Sequence, residues 1–163
     1  MKDFLEVFNA LSSDNLHRLE EIYTSDIRFV DPAHEIQGID NLRDYFAKLY
    51  ANVTSVNFDF HEEASIGPCG YVQWDMHFAH PRLKGGQAIT VPGASYLRFS
   101  DSGKVSYHRD YFDLGSMLYQ HLPILGDKPF IAGHSQENKN RTPDMYSQNR
   151  SRRGIVLAEY ERY

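Results

Sequence analysis

Residues 26–38, DIRFVDPAHEIQG, carry the clearest single indication of the fold. Residues 27–30 alternate between apolar and polar side chains, which predicts a short strand that runs into Asp31-Pro32. Two explanations of this ending stay open. Asp-Pro favours a turn, and a carboxylate at the end of a strand can also lie at the mouth of a pocket and carry chemistry. His34 and Glu35 follow closely and are predicted either at the rim of such a pocket or in a solvated loop.

Three helices are predicted around this strand from apolar residues at helical spacing. The first covers residues 2–12, and residues 13–15 separate it from the second. The third follows Gly38, with Asp40 as its predicted N-cap. Their apolar positions are Phe4, Leu5, Phe8 and Leu11; Leu16, Leu19, Ile22 and Tyr23; and Leu42, Tyr45, Phe46 and Leu49.

The period of the pattern changes from helical to two after residue 52, which predicts four strands joined mostly by short turns. They cover residues 56–60, 72–78, 87–99 and 104–113. Pro-Gly in the middle of the third of these predicts a bulge or a sharp bend. Strands in hairpin succession pair antiparallel, so the predicted class is α+β, with a helical layer on a mostly antiparallel sheet.

Composition excludes several classes of function. The chain has 163 residues, which suits one domain, and a net charge of −5 gives no footprint for nucleic acid or an anionic membrane. No apolar run is long enough to span a bilayer. Cys69 is the single cysteine, so no internal disulfide forms, and we expect a cytoplasmic protein.

The C-terminal part differs in composition from the rest. Residues 1–125 carry 10 basic and 17 acidic side chains, whereas residues 126–163 carry 7 and 5 and few apolar residues up to about 154. We therefore predict a domain over residues 1–125 and a polar extension over residues 126–163. This extension is either a loosely ordered end or a segment that covers the domain or a partner subunit.

Two segments resemble the nuclear transport factor 2-like superfamily, namely FVDPAHEIQGIDNLRDYF (residues 29–46) and GASYLRFSDSGKVSYHRDYFD (residues 93–113). Within it, the SnoaL-like polyketide cyclases and the ketosteroid isomerases are most similar, over residues 3–118. The resemblance implies a cone-shaped α+β barrel. Three N-terminal helices would pack on a strongly curved sheet and enclose a pocket, and a homodimer would form through the outer sheet face.

The resemblance implies catalytic roles that the residues support only in part. Asp31 matches the proton-transferring carboxylate of the ketosteroid isomerases, where burial raises the pKa of the acid. Alternatively it caps the turn at Pro32. The two hydrogen-bond donors of that family, a tyrosine and a protonated aspartic acid, fall on Val7 and Ser95. Because Val7 cannot donate, steroid isomerisation by that mechanism is not expected.

The last strand offers a replacement. Alternation places Ser106, His108, Asp110 and Phe112 on one face and Val105, Tyr107, Arg109 and Tyr111 on the other. The family layout implies that the first set faces the pocket, and Asp110 matches the acid/base aspartate of SnoaL-like cyclases. His108 would share a proton with it or orient a carbonyl. The alternative is an ion pair that satisfies two buried polar groups.

The resemblance also implies a hydrophobic pocket lined by Tyr45, Phe46, Trp74, Met76, Phe78, Ser95 and Phe112. Ordinary core packing is the alternative for many of these residues. The resemblance implies a small hydrophobic carbonyl compound as the ligand. No cofactor is expected, because no motif for a nucleotide cofactor or a metal is present. Three hypotheses follow: a cofactor-independent isomerase or cyclase, a non-catalytic binding module, and a dimeric interaction module.

Overall fold

The computed structural model describes residues 1–119, in which helices cover one face of a single sheet. Helix α1 is Lys2–Asn9, and a 3₁₀ turn at Leu16–Arg18 continues into α2, Leu19–Ile22. Helix α3 is Ile39–Asn52, and the short α4, Leu114–Tyr119, follows the last strand. The three predicted N-terminal helices are therefore present, although the first is shorter than predicted.

The sheet has six strands in the order β2-β1-β6-β5-β4-β3. All neighbours pair antiparallel except β1 and β6, which are parallel. The α+β class and the mostly antiparallel sheet are confirmed, but the sheet is open, with β2 and β3 at its edges, and does not close into a barrel. The strands are β1 Tyr23–Val30, β2 Glu35–Gln37, β3 Ser55–Ile66, β4 Cys69–Ala79, β5 Ala88–Phe99 and β6 Val105–Phe112.

The region around residues 26–38 is more regular than the sequence indicates. Tyr23, predicted in the second helix, begins β1, and the loop after Asp31 contains the unpredicted strand β2. The N-cap of α3 is Gly38 and not Asp40. Gly38 has a φ of 87°, a left-handed conformation that lets β2 turn directly into the helix. The carboxylate of Asp40 instead accepts a hydrogen bond from Arg43 at 2.8 Å.

Of the bulge or sharp bend predicted at Pro92-Gly93, the bulge is absent. The pairing of β5 with β4 runs without a break through Asp75↔Pro92 and Trp74↔Gly93. Glycine is required at position 93 for a different reason: a Cβ there would overlap the indole ring of Trp74. Backbone and ring thus approach closely at this point of the inner face.

The register does break further along, between Arg98 and Phe99 in the β5–β6 pair. This irregularity changes the phase of β6 at its start. Val105, predicted on the outer face, is fully buried. Ser106, predicted on the inner face, instead donates a hydrogen bond to the carbonyl of Arg98 at 3.3 Å. From His108 onward the predicted alternation holds.

The main core lies between the helices and the inner face of the sheet. Its fully buried side chains include Leu19, Ile27, Leu42, Leu97 and Val105. Each such side chain contributes roughly 1.5–3 kcal/mol relative to exposure. Within the described residues no helix is long and apolar enough to cross a membrane. The predicted extension over residues 126–163 lies outside the described residues.

Candidate functional site

A cavity of about 150 Å³ lies between α3 and the inner face of the sheet. Its walls are mostly aromatic. Asp31 and Asp110 reach it from the ends of β1 and β6, so the fold brings together two carboxylates that are 79 positions apart in the chain. Of the residues predicted to line a pocket, those that contact this cavity are Tyr45, Phe46, Trp74, Met76, Phe78 and Phe112.

His108 and Ser95 do not line this cavity. Only 1% of His108 and 6% of Ser95 is exposed, and both side chains lie behind Asp110. Their strand positions explain this placement, since Ser95 pairs directly with Asp110 and Leu97 pairs with His108. Both therefore act on the cavity only through the carboxylate in front of them.

A buried chain of hydrogen bonds holds Asp110. The Tyr23 hydroxyl lies 2.6 Å from Nδ1 of His108, and Nε2 of His108 lies 2.8 Å from Oδ1 of Asp110. Burial, together with the charge of Asp110, raises the pKa of Tyr23 well above its ordinary value, so the phenol stays protonated. Because an ionised carboxylate can only accept, in the neutral imidazole Nε2–H donates to Asp110 and Nδ1 accepts from the hydroxyl of Tyr23.

A second branch reaches the same carboxylate oxygen. The indole N–H of Trp74 donates to Oγ of Ser95 at 2.8 Å. Because an indole can only donate, Ser95 must accept there and directs its own proton to Oδ1 of Asp110 at 2.5 Å. Oδ1 thus receives two hydrogen bonds, whereas Oδ2 makes none to any of residues 1–119. One oxygen is held, and the other is available at the cavity.

Asp31 has a different environment. Its Oδ1 accepts hydrogen bonds from the backbone N–H groups of Ala33, at 2.7 Å, and His34, at 2.6 Å, and its Oδ2 accepts one from the hydroxyl of Tyr45. Burial by itself raises the pKa of Asp31, but the contacts with His34, Tyr45 and the backbone outweigh it and lower the pKa. The expected rise is therefore wrong. Asp31 caps its turn and also borders the cavity.

The two predicted rim residues near Asp31 differ in solvent exposure: His34 is partly buried and Glu35 is exposed. Nδ1 of His34 lies 3.4 Å from Oδ1 of Asp31, and its ring packs against Tyr45 with centroids 5.2 Å apart. Glu35 is exposed and forms an ion pair with Arg28 at 2.8 Å on the outer side. Val7, at the position of the family's tyrosine, packs against the core and supplies no polar atom.

Sequence reasoning missed three polar residues at this site. Tyr50 lines the cavity, its hydroxyl has no hydrogen-bond partner among residues 1–119, and burial raises its pKa to about 12. His80 also lines the cavity, with Nδ1 accepting from the N–H of Arg82 at 3.1 Å. Tyr23 has the spacing of a helical residue, which hides its place on β1. Of the three, only Tyr50 could have been predicted to line the pocket from the sequence, because it lies four residues after Phe46 and therefore on the same face of α3.

No group of three or more His, Cys, Asp or Glu side chains within residues 1–119 is arranged to hold a metal ion. The side chains at the cavity include groups that can take part in acid–base chemistry. Asp110 can accept a proton, and Tyr50 can donate a hydrogen bond. The walls around both groups are mostly aromatic and apolar, and an apolar environment strengthens such interactions.

Comparison with known protein families shows which family the chain is related to. The sequence profile of the SnoaL-like domain matches residues 3–108, which include α1 to α3 and most of the sheet. The chain belongs to the SnoaL-like domain family. No curated protein matches this SnoaL-like chain at a significant level.

Solved structures show the same fold. A protein with the ketosteroid isomerase-like fold from Catenulispora acidiphila DSM 44928, solved with trimethylamine, has a TM-score of 0.65 at 20% identity, covering 74% of this chain and 93% of that chain. A protein named as a SnoaL-like polyketide cyclase from Jannaschia sp. CCS1 has a TM-score of 0.60 at 21% identity, covering 71% and 83%. TerC, co-crystallised with polyporic acid, has a TM-score of 0.61 at 15% identity, covering 70% and 88%.

At these identities the similarity establishes the fold and leaves the chemistry to the site. In this chain the space between helices and sheet is bordered by Asp110 and Asp31. Asp110 accepts hydrogen bonds from His108 and Ser95, and Tyr23 contacts the other nitrogen of His108. Asp31 accepts a hydrogen bond from Tyr45.

Proposed function

We propose that this SnoaL-like protein is a cofactor-independent isomerase or cyclase that transfers a proton next to the carbonyl group of a small hydrophobic compound. The observation that carries the proposal is the carboxylate of Asp110. Its Oδ1 is held by His108 and Ser95, and its Oδ2 is left unbonded, among residues 1–119, at an apolar cavity. Relatives solved with trimethylamine and with polyporic acid support a small-molecule role.

The proton transfer needs one base and one hydrogen-bond donor. Asp110 takes a proton from the carbon next to the carbonyl, the electron pair moves onto the carbonyl oxygen, and the same proton returns to another carbon as the carbonyl re-forms. Tyr50 donates a hydrogen bond to the oxygen while it carries negative charge, the task for which Val7 and Ser95 are unsuited. No proton is gained or lost overall.

The other two predicted catalytic residues take supporting roles in this proposal. His108 does not reach the cavity, so it acts on the reaction by holding Asp110. Asp31 has both oxygens engaged and a lowered pKa, which makes it a weak base. We assign to it a fixed negative charge at the wall and not the first proton transfer.

The elementary reaction can be tested without the natural substrate. Cyclohex-3-en-1-one has a single ring and becomes the conjugated cyclohex-2-en-1-one when a base moves one proton, which ultraviolet absorbance records directly. We expect the wild-type protein to accelerate this isomerisation above the buffer rate and Asp110→Asn to lose roughly a hundredfold or more of that acceleration. Asp44→Asn, an exposed acid on α3, is the matched control and should keep it. Equal rates in the wild type and Asp110→Asn would refute the assignment of Asp110.

A non-catalytic binding module is the second candidate. The locked state of Asp31 and the loss of a donor at Val7 favour it, because both remove groups on which isomerases of this fold rely. In that case a compound that binds in the cavity is recovered unchanged after long incubation, at every pH at which the protein is folded. Recovery of a rearranged product decides for the enzyme.

A further inference from the structure

We infer that the ligand of this cavity is a neutral compound of single-ring size. One oxygen of this ligand accepts a hydrogen bond from the hydroxyl of Tyr50, and a hydrogen on that oxygen or on the neighbouring carbon meets Oδ2 of Asp110. This inference rests on the proposed function and specifies its substrate class. It is carried by three independent properties of the cavity: its volume, its charge and its two polar groups that have no partner among residues 1–119.

The volume limits the ligand to about one ring. The cavity measures about 150 Å³. An engineered protein cavity of about this volume, lined by apolar side chains, takes up one benzene molecule. A compound of three or four fused rings would have to displace the walls or leave part of its surface outside the cavity. One wall cannot retreat, because the indole of Trp74 already lies against the backbone of Gly93.

The charge excludes anionic ligands. Asp31 and Asp110 line the cavity, and no Lys or Arg is among the described residues that do. Asp31 is held ionised by its hydrogen bonds. His80 also borders the cavity, where its Nδ1 accepts a hydrogen bond from the N–H of Arg82. A carboxylate or phosphate would lose its hydration beside negative charge, and no Lys or Arg among these residues would offset the cost.

The two polar groups define the polar part of the ligand. Oδ2 of Asp110 can only accept when the carboxylate is ionised, and the Tyr50 hydroxyl stays protonated at neutral pH because burial raises its pKa to about 12. A phenol or alcohol satisfies both, since its oxygen donates to Asp110 and accepts from Tyr50. A ketone satisfies Tyr50 and presents its neighbouring C–H to Asp110. The remaining walls, such as Phe29, Phe46 and Phe112, offer only apolar contact.

Trp74 provides the measurement, because it is the only tryptophan of the chain and lines the cavity. We would titrate the full-length protein at neutral pH with phenol, acetophenone, benzoate and 9-phenanthrol, and follow tryptophan fluorescence, with calorimetry as a second readout. Phenol and acetophenone should bind. Benzoate, which has the same ring and a negative charge, and 9-phenanthrol, which has the same hydroxyl on three rings, should bind roughly tenfold more weakly or worse.

Two variants test the polar pair. Loss of one hydrogen bond should weaken phenol binding about three- to tenfold in Tyr50→Phe and in Asp110→Asn. Acetophenone should lose affinity only in Tyr50→Phe, because its carbonyl does not bond to Asp110. The matched control is Tyr111→Phe, which removes a hydroxyl from the exposed outer face and should leave both affinities unchanged.

Equal binding of benzoate and phenol, tighter binding of 9-phenanthrol than of phenol, or unchanged phenol affinity in Tyr50→Phe would each overturn the inference. Phenol has no C–H to be transferred, so its binding is independent of turnover. Binding as expected without isomerisation of cyclohex-3-en-1-one refutes the proposed reaction alone. Isomerisation without the expected selectivity refutes the ligand class alone. Far-UV circular dichroism of each variant confirms that it is folded.

Discussion

The hydroxyl of Tyr23 lies 2.6 Å from Nδ1 of His108, and only 1% of each residue is exposed. This contact joins the first residue of β1 to the middle of β6 across 85 positions of the chain. Because the carboxylate of Asp110 takes its hydrogen bond from Nε2, the neutral imidazole has an unprotonated Nδ1 that accepts from the protonated phenol of Tyr23. The contacts with Tyr23 and Asp110 together favour the tautomer that carries its proton on Nε2.

Tyr23→Phe should weaken this preference. The buried Nδ1 of His108 is then left without its donor, and we expect a loss of about 1–3 kcal/mol in the free energy of unfolding, measured by urea denaturation. Nitrogen-15 NMR of the imidazole should show a single tautomer, protonated at Nε2, in the wild type at neutral pH and a different population in the variant. Tyr111→Phe, on the exposed face, serves as control and should change neither. An unaltered imidazole spectrum in Tyr23→Phe would contradict the assigned direction.

Gly93→Ala should destabilise the protein and disturb the cavity. The added methyl would overlap the indole of Trp74, a rigid ring packed in the core, so we expect a cost of about 1–3 kcal/mol and a shift of tryptophan fluorescence. Gly70→Ala is the matched comparison. There the methyl chiefly meets the flexible end of the Met1 side chain, which can move aside. Equal costs for the two substitutions would show that the indole is not tightly held against position 93.

Asp31 should make stability depend on pH in acid. Its pKa in the folded protein lies below the ordinary value of 3.8, so the carboxylate stabilises the fold at pH values above 3.8. That contribution is lost as the pH falls from 3.8 through the folded-state pKa. Urea denaturation over this range should show a smaller loss of stability in Asp31→Asn than in the wild type. Parallel curves for the two proteins would mean that the hydrogen bonds to Asp31 do not favour its charged form.

We propose that the outer face of the sheet forms a homodimer. Tyr71 and Tyr111 are 46% and 51% exposed there, and Arg109 lies over the ring of Tyr111 at 5.1 Å. Large exposed aromatic side chains with arginine are typical of protein interfaces. Analytical ultracentrifugation should find a dimer for the wild type and a monomer for Tyr111→Glu. Phe112→Leu, a change on the opposite face of the same strand, should stay dimeric. A monomeric wild type would end the proposal.

We also propose that residues 1–125 form the complete folding unit. A chain ending at residue 125 should unfold cooperatively, within a few degrees of the full-length Tm, because the core residues of α1 to α3 and of the sheet all precede that point. Calorimetry of the two chains measures this directly. A large fall in Tm would show that residues 126–163 contribute to the stability of the domain.

Some features that place the site are local in the sequence, and others depend on pairing between strands that are distant in the chain. Periodicity predicts α3 and the long strands, because apolar side chains must face one core whatever the details of packing. It does not predict β2, which has three residues and forms only because β1 offers a neighbouring edge. It also misplaces Val105, since one register break between Arg98 and Phe99 changes the phase of the following strand.

Local patterns in the sequence predict the fold class, because helix and strand periods are properties of neighbouring residues. The family and the placement of Asp31 and Asp110 at one pocket were predicted from the resemblance of residues 29–46 and 93–113. Which side-chain atoms are hydrogen-bonded and which residues border the cavity follow only from the tertiary structure. It occupied both oxygens of Asp31, placed His108 behind Asp110, and brought Tyr23 and Tyr50 to the site. Hydrogen bonds and burial join residues far apart in the chain, and no local pattern encodes them.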